Sequence, residues 1–373
     1  MQRINILHII ESLFPYGGTP RKLLTIARNV DREKYRIFVA VFQREVELEE
    51  KFREAGAEVL LLRARKKWDV LTVVDILSAI RTYRINLVNT HFSRANVYGR
   101  IAAIVSRVPV IVNEHGIPRS HKLTVKIMDN LLSLFTEKFI CNSHAVLREV
   151  KRDIFIRRAN FAVVQNGIDA NVFFETNSNN RNGLRRQLGI NPDDIVIANV
   201  SGLIPIRDHR TLIHAFADIH KKLHTVKLLL VGDGPLRGEL TELSERLGVE
   251  RSISFTGYRS DVPSLLRLAH IYVDPTLLAG GFQFNVMEAL LSGLPVIAVS
   301  AGVPPDDIIR HNVDGMLVPP GNPASMAKAL EKLIKDGSEQ KRLGQAGRRK
   351  VLEKYSAEMF VRNICRVYDE VIH

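Results

Sequence analysis

The sequence predicts an α/β protein made of two αβα domains. Short β-branched runs alternate with longer amphipathic stretches. The alternation breaks once, at an Asn-rich stretch, and then restarts. The chain's 373 residues suffice for two cores of ordinary domain size. Strand and helix alternating at this spacing imply mainly parallel sheets covered on both faces.

In chain order, the first half offers strands at 4–10 (INILHII), 36–41 (RIFVAV), 57–62 (AEVLLL), 85–90 (INLVNT), 108–113 (VPVIVN), 137–142 (EKFICN) and 161–166 (FAVVQN). Helical periodicity lies between them near 19–30, 69–83, 93–106, 121–135 and 143–151. Residues 175–194 (ETNSNNRNGLRRQLGINPDD) read as a linker. Strands then resume at 194–200, 226–232, 252–257, 270–275, 295–300 and 315–319. Helices are expected near 209–222, 235–247, 261–268, 283–292 and 323–335. The charged amphipathic tail from Ser338 to His373 reads as two or more closing helices.

Composition removes several functions. Two cysteines, Cys141 and Cys365, make no disulfide scaffold, and no Cys/His cluster offers structural zinc. The opening MQRINILHIIES turns polar too early for a signal peptide, and no run of 18 apolar residues follows. A cytoplasmic protein without a membrane span is expected. The formal charge of +13 is uneven: residues 1–180 hold 28 Lys+Arg against 18 Asp+Glu, and residues 181–373 hold 25 against 22. The basic half suits phosphate or an anionic membrane face. Nucleic acid is disfavoured, because no aromatic interleaving or helix-turn-helix spacing accompanies the basic runs.

Open parallel sheets bind ligands beyond the carboxyl ends of their strands, and two such domains facing each other would put a site in the cleft between them. Gly17-Gly18 permit a tight loop before a helix, with Thr19 as N-cap and Pro20 as first helical residue. That loop either receives a ligand or simply starts a helix. It is neither G-x-G-x-x-G nor a phosphate-binding P-loop. His91 and His115 stand at strand ends, where an imidazole can donate to a hydroxyl or phosphate. His8, inside the first strand, reads as a core histidine. Asn166 and Asp169 read as ligand contacts or as groups holding their own turn.

In the second half, Ser201, Gly202, Arg207 and Asp208 lie between a strand and a helix, and Arg207 is placed to grip phosphate. Gly232 and Gly234 form a second tight turn, structured by Asp233. Gly280-Gly281-Phe282 lead into a helix and can present backbone N–H groups as an anion cradle. Glu288, within that helix, can accept both hydroxyls of a ribose, whereas Phe284 and Met287 read as packing. A cradle beside a carboxylate suggests a sugar nucleotide. Asp306-Asp307 read as a helix cap. No Asp-x-Asp motif stands at a strand end, so no metal is expected.

These motifs, in this order, resemble the family 4 glycosyltransferases of the GT-B fold, retaining enzymes with two Rossmann-like domains facing across a cleft. The resemblance rests on Gly17-Gly18, His91, Glu114-His115-Gly116, Asn166-Gly167-Ile168-Asp169, Gly232-Asp233-Gly234-Pro235 and the run from Gly281 to Pro295. It implies an N-terminal acceptor domain over 1–175, a linker over 176–194 and a nucleotide-sugar domain over 195–350. A terminal helix over 351–373 would pack back on the first domain. It implies no cofactor and a UDP- or GDP-sugar donor, with a glycan or lipid-linked acceptor; a monomer or homodimer is expected, and the basic first half is either a contact with an anionic membrane surface or simply a soluble basic face.

By the same resemblance His115 lies near the transferred sugar and Gly17 approaches the diphosphate. Arg207 takes the place of a phosphate-binding lysine, and Glu288 is the second carboxylate of an E-x7-E motif. His91 and Asn166 fall on the acceptor side; Ser201, Gly202, Gly232, Gly280, Gly281 and Phe282 fall on the donor side. Two departures stand out. Gly280 replaces the first carboxylate, and Gly202 replaces a habitual arginine. They leave open a non-catalytic nucleotide-sugar-binding partner of another transferase. An epimerase lacks its extra acid/base carboxylates here, and a phosphorylase lacks its pyridoxal-bearing lysine.

Overall fold

The computed structural model describes residues 3–14, 17–43, 46–63, 69–116, 123–154, 159–175, 181–277, 283–300 and 308–373. They fold as two compact units, residues 1–167 with 357–373, and residues 168–279 with 283–356.

The first unit runs β1 (Ile4–Ser12), α1 (Gly18–Asn29), β2 (Tyr35–Gln43), α2 (Val46–Glu54), β3 (Glu58–Leu61), α3 (Val70–Thr82), β4 (Leu87–His91), α4 (Ser93–Ser106), β5 (Val110–Glu114), α5 (Leu123–Ser133), β6 (Lys138–Cys141), α6 (His144–Asp153) and β7 (Phe161–Val163). Its seven strands pair in the order β3-β2-β1-β4-β5-β6-β7, every pairing parallel. The chain reverses its direction of winding between β1 and β4, which creates a topological switch point.

Side-chain alternation divides this sheet. Ile6 and Ile10 of β1 join a core with Leu23 of α1, Leu87 of β4 and Ile111 of β5. Leu7 and Ile9 join the opposite core with Ile76 of α3 and Ala102 of α4. The same period of two puts His8, Asn89, His91 and Asn113 on the face of Ile6, Leu87 and Ile111. They stand above that core, at the carboxyl end of the sheet.

The second unit runs α7 (Ala170–Glu175), α8 (Arg181–Gln187), β8 (Ile195–Val200), α9 (His209–His220), β9 (Val226–Val231), α10 (Arg237–Arg246), β10 (Ile253–Phe255), α11 (Val262–Leu266), β11 (Ile271–Asp274), α12 (Phe284–Leu291), β12 (Val296–Val299), β13 (Met316–Val318), α13 (Pro323–Lys335) and α14 (Gly337–Lys354). Its parallel sheet is ordered β10-β9-β8-β11-β12-β13, with the switch point between β8 and β11. The last helix, α15 (Ala357–Ile372), belongs to the first unit, where Phe360, Ile364 and Tyr368 are buried in the core.

Several local readings differ from the sequence expectations, and helix α7 is one that had no predicted counterpart. The stretch 176–194 contains helix α8, whose Leu184 is buried and whose following residue, Leu188, accepts a hydrogen bond from Ser254 Oγ at 3.2 Å. Helix α1 starts earlier than Thr19. Gly17 is its N-cap, with extended backbone, and Thr19 is buried inside the first turn without capping it. Helix α2 had no predicted counterpart. Its sequence VELEEKFRE is mostly charged and anchors itself through Leu48 and Phe52, four residues apart. Gly280, Gly281, Phe282 and Asp306-Asp307 lie outside the described residues.

Candidate active site

Both switch points carry clusters of polar side chains. In the second unit the cluster grows from the ends of β8 and β11. Asn199, fully buried on β8, donates from Nδ2 to the Val273 carbonyl at 2.8 Å and accepts at Oδ1 from Ser201 Oγ at 2.8 Å. His209, at the start of α9, brings Nε2 to 3.1 Å from Asn199 Oδ1 and 3.0 Å from Ser201 Oγ. Burial first, and then the Arg207 charge, lower the His209 pKa to about 4. The ring is therefore neutral and positions Ser201.

Arg207 lies on the turn between β8 and α9, followed by Asp208, whose Oδ1 accepts from the Thr211 N–H at 3.4 Å. Its Nη1 donates to Thr276 Oγ1 and to Gln283 Oε1, both at 3.1 Å. Thr276 in turn donates to Asp274 Oδ1 at the end of β11. The guanidinium, carried on the β8 side of the switch point, is thus held by two residues from the β11 side, and among the described residues its other nitrogens make no hydrogen bond, which suits them to an anion. Thr276, Asp274 and Asn199 escaped the sequence reading. Their signal was their position at or just beyond strand ends.

The glycine turn after β9 packs against the turn after β8. Gly232 has φ +135°, and a Cβ there would sit 2.1 Å from the Ser201 carbonyl oxygen. The Gly234 N–H donates to Asp233 Oδ1 at 2.8 Å, so Asp233 structures the turn. Gly202 is half-buried beside it. Glu288 is only 3% exposed, on α12, where Phe284 and Met287 are buried as well.

In the first unit His8 Nδ1 lies 3.1 Å from His91 Nε2, and His91 Nδ1 lies 3.0 Å from His115 Nε2. Both nitrogens of His91 are therefore occupied, and the ring is fully buried. Against the expectation of acceptor contact, His91 can reach a ligand only through His115, which is half-buried one residue beyond β5. His8 is buried as expected. Lys22, on α1, is 1% exposed and donates to Asn113 Oδ1 at 3.0 Å. Burial, opposed by the Cys141 thiol, pulls this amine down to about 7. No sequence signal singled Lys22 out, because it falls within the apolar face of an amphipathic helix. Gly17 donates its N–H to the Phe14 carbonyl at 2.9 Å, and Gly18 opens α1 with its surface exposed. Asn166 is buried after β7, and Asp169 accepts from the Asn171 N–H at 3.1 Å, holding its own turn.

Among the described residues there is no group of three or more His, Cys, Asp or Glu placed to hold a metal ion. No described helix is long and apolar enough to cross a membrane.

Comparison with known proteins agrees with this division. Residues 16–172 match the model of Glycosyltransferase Family 4, and residues 180–350 match that of Glycosyl transferases group 1. Among curated relatives, the putative glycosyltransferase EpsD of Bacillus subtilis is 25% identical over 306 residues, covering 79% of each chain. The UDP-Gal:α-D-GlcNAc-diphosphoundecaprenol α-1,3-galactosyltransferase of Escherichia coli is 24% identical, covering 72% of this chain and 71% of its own. Among solved structures, Anabaena HepE in complex with UDP and glucose superposes with a TM-score of 0.87 at 23% identity, over 99% of this chain and 100% of its own. The chain is a glycosyltransferase of the GT-B fold, built from a family 4-like region followed by a group 1-like region.

Proposed function

We propose that the chain transfers a sugar, with retention of anomeric configuration, from a nucleoside-diphosphate donor to a hydroxyl on a glycan or lipid-linked acceptor. The observation that carries this is Arg207, braced by Thr276 and Gln283 at the β8/β11 switch point. A guanidinium fixed in advance stabilises charge on a leaving diphosphate without reorganising. In this reading Glu288 would accept the ribose hydroxyls, and the Gly280-Gly281 pair, which the sequence offers as an anion cradle, would receive phosphate through its backbone amides. The second unit then holds the donor, and the first unit supplies His115 and the acceptor side. The reaction needs no metal in this reading, and the donor phosphate takes the acceptor proton.

UDP-sugars are favoured as donors, since the HepE structures hold UDP with glucose and UDP-glucose. A lipid-linked acceptor in envelope polysaccharide synthesis is favoured by the name of the Escherichia coli relative. Peripheral attachment to the cytoplasmic face of a membrane fits the basic first half and helix α5. On α5 Leu123, Ile127 and Leu131 are exposed at four-residue spacing, with Leu134 and Phe135 exposed just after it. Sedimentation with anionic liposomes at low salt tests that attachment, and indifference to lipid charge rejects it.

Calorimetry with UDP-, GDP- and ADP-sugars tests the donor site. Glu288→Gln should weaken nucleoside-diphosphate binding about tenfold, because an amide oxygen accepts from two hydroxyls less well than a carboxylate. Unchanged affinity in the folded variant rejects the ribose role. A second reading, a binding subunit without turnover, draws on Gly202 and Gly280 where the resembling family has charged side chains.

A further inference from the structure

Seven side chains of the first unit form one continuous hydrogen-bonded chain with a defined direction. It begins at Lys22, whose Nζ donates to Asn113 Oδ1 at 3.0 Å. That leaves Asn113 Nδ2 to donate to Asn89 Oδ1. Asn89 Nδ2 then donates to Tyr368 Oη at 3.2 Å. The phenol oxygen, 3.4 Å from His8 Nε2, has its own hydrogen left to give. His8 continues to His91 at 3.1 Å, and His91 to His115 at 3.0 Å.

An ammonium can only donate, and a carboxamide has one accepting end and one donating end. Turning Asn113 over would set its NH2 against the Lys22 ammonium, the form this amine keeps below about pH 7, so protonated Lys22 fixes that amide, which in turn fixes Asn89. Tyr368, fully buried on α15, accepts from Asn89 and must place its proton on His8. In the reverse polarity, His8 would donate to Tyr368, and the buried phenol hydrogen would meet no acceptor among the described residues. A neutral imidazole carries one proton, so a ring that accepts at Nε2 must hold that proton on Nδ1. His8, His91 and His115 therefore fall into line in turn.

We infer that Lys22, Asn113, Asn89, Tyr368, His8 and His91 act as positioning residues that hold His115 in its Nδ1–H tautomer, so that it meets the substrate as a hydrogen-bond donor at Nδ1 and not as a base. Burial supports the required neutrality. It lowers His8 to about 3 and holds His91 and His115 well below the usual imidazole range, with the Lys22 charge adding to the effect in each. Stacking holds the rings in sequence, with centroids 5.4 Å apart for His8–His91 and 5.3 Å for His91–His115. Among the described residues nothing accepts from His115 Nδ1, and β5 ends at the ligand-binding edge of the sheet. The tautomer follows from this geometry alone; its use on an oxygen of the donor or acceptor rests on the proposed transfer reaction.

The test is long-range 1H–15N correlation at pH 6, where Lys22 is protonated, on full-length protein with 15N-labelled histidine, using His115→Gln to assign the His115 signals. The wild type should show pyrrole-type Nδ1 and pyridine-type Nε2 at His8, His91 and His115. Protonation of His115 at Nε2, or a mixture of tautomers, overturns the proposal. Tyr368→Phe removes the proton that His8 accepts. His115 should then shift to a tautomer mixture while His91 and His115 remain packed. An unchanged Nδ1–H pattern at His115 in folded Tyr368→Phe also overturns it. The wild-type spectrum decides the tautomer even if that variant does not fold. In the same variant kcat should fall with little change in KM. The fall should lie between about twofold, for equal tautomer populations, and about a hundredfold, for complete loss of one donor. An altered spectrum with unaltered turnover keeps the tautomer and removes its role in the reaction.

Discussion

Replacing Lys22 by Met keeps the length of the side chain and removes its amine from a site that is 1% exposed. Burial brings that amine from 10.5 to about 7 in the folded protein. The difference, about 3.5 pH units, corresponds to about 5 kcal/mol at 1.36 kcal/mol per unit. The sign follows from proton binding. Between pH 7 and 10.5 the unfolded chain binds the proton more than the folded chain does, so wild-type stability rises with pH across that window. Below pH 7 both states are protonated and the wild type bears the full cost. The variant bears none of it but leaves Asn113 Oδ1 without its donor, a pH-independent loss of about 1–3 kcal/mol. Lys22→Met should therefore be more stable than wild type by about 2–4 kcal/mol at pH 6, and less stable by about 1–3 kcal/mol above pH 10.5. The two curves should cross between those limits. Parallel urea unfolding of both proteins from pH 6 upward measures the difference directly, because shared titrations cancel. A difference that stays constant with pH would refute the reasoning, since it would mean that folding leaves the Lys22 pKa where it was.

Arg207→Ala should weaken UDP binding by about tenfold or more and uridine binding much less, because the proposed donor site sets the guanidinium against the diphosphate; equal losses in calorimetry would assign Arg207 to structure. Gly232→Ala should destabilise the second unit by at least about 1–3 kcal/mol, since its φ is +135° and the new methyl would meet the Ser201 carbonyl. A thermal midpoint equal to wild type would contradict the close approach of these two turns. Asp314→Asn should cost about 3–5 kcal/mol. Asp314 is fully buried 3.2 Å from the buried Lys350 and also accepts from the Arg310 backbone N–H. Calorimetric unfolding checks this, and an unperturbed midpoint would show that Lys350 finds another partner.

The strands were legible because β-branched and aliphatic runs such as IVIANV and VKLLLV are long, apolar and bounded by turn residues. Helix α2 was not, since only Leu48 and Phe52 mark its buried side within nine residues that are mostly charged. Helix α8 hid in an Asn- and Arg-rich stretch whose local composition suits a linker; its anchor is the tertiary burial of Leu184. Candidates came from the sequence where a residue stood just beyond a strand, as His115 does, or on the turn into the next helix, as Arg207 does. The support behind them was not readable. Tyr368 and His8 are 360 positions apart, and only folding of α15 into the first unit brings them together. Lys22 was masked for the opposite reason, because its apolar helical neighbours gave it the pattern of an ordinary core face. His91 shows the limit of strand-end reasoning: the position was right for a ligand, but both ring nitrogens are taken by other histidines.

The most direct test of the account is turnover by the wild-type protein. Full-length protein is incubated with a panel of UDP- and GDP-sugars and a lipid-linked acceptor, and the products are analysed by mass and by the proton coupling at the new anomeric centre. The account predicts a product heavier by one sugar residue, free nucleoside diphosphate, and the donor's anomeric configuration retained. Tight donor binding with no bond cleavage for any donor and acceptor would contradict it and leave a protein that binds nucleotide sugar without transferring it.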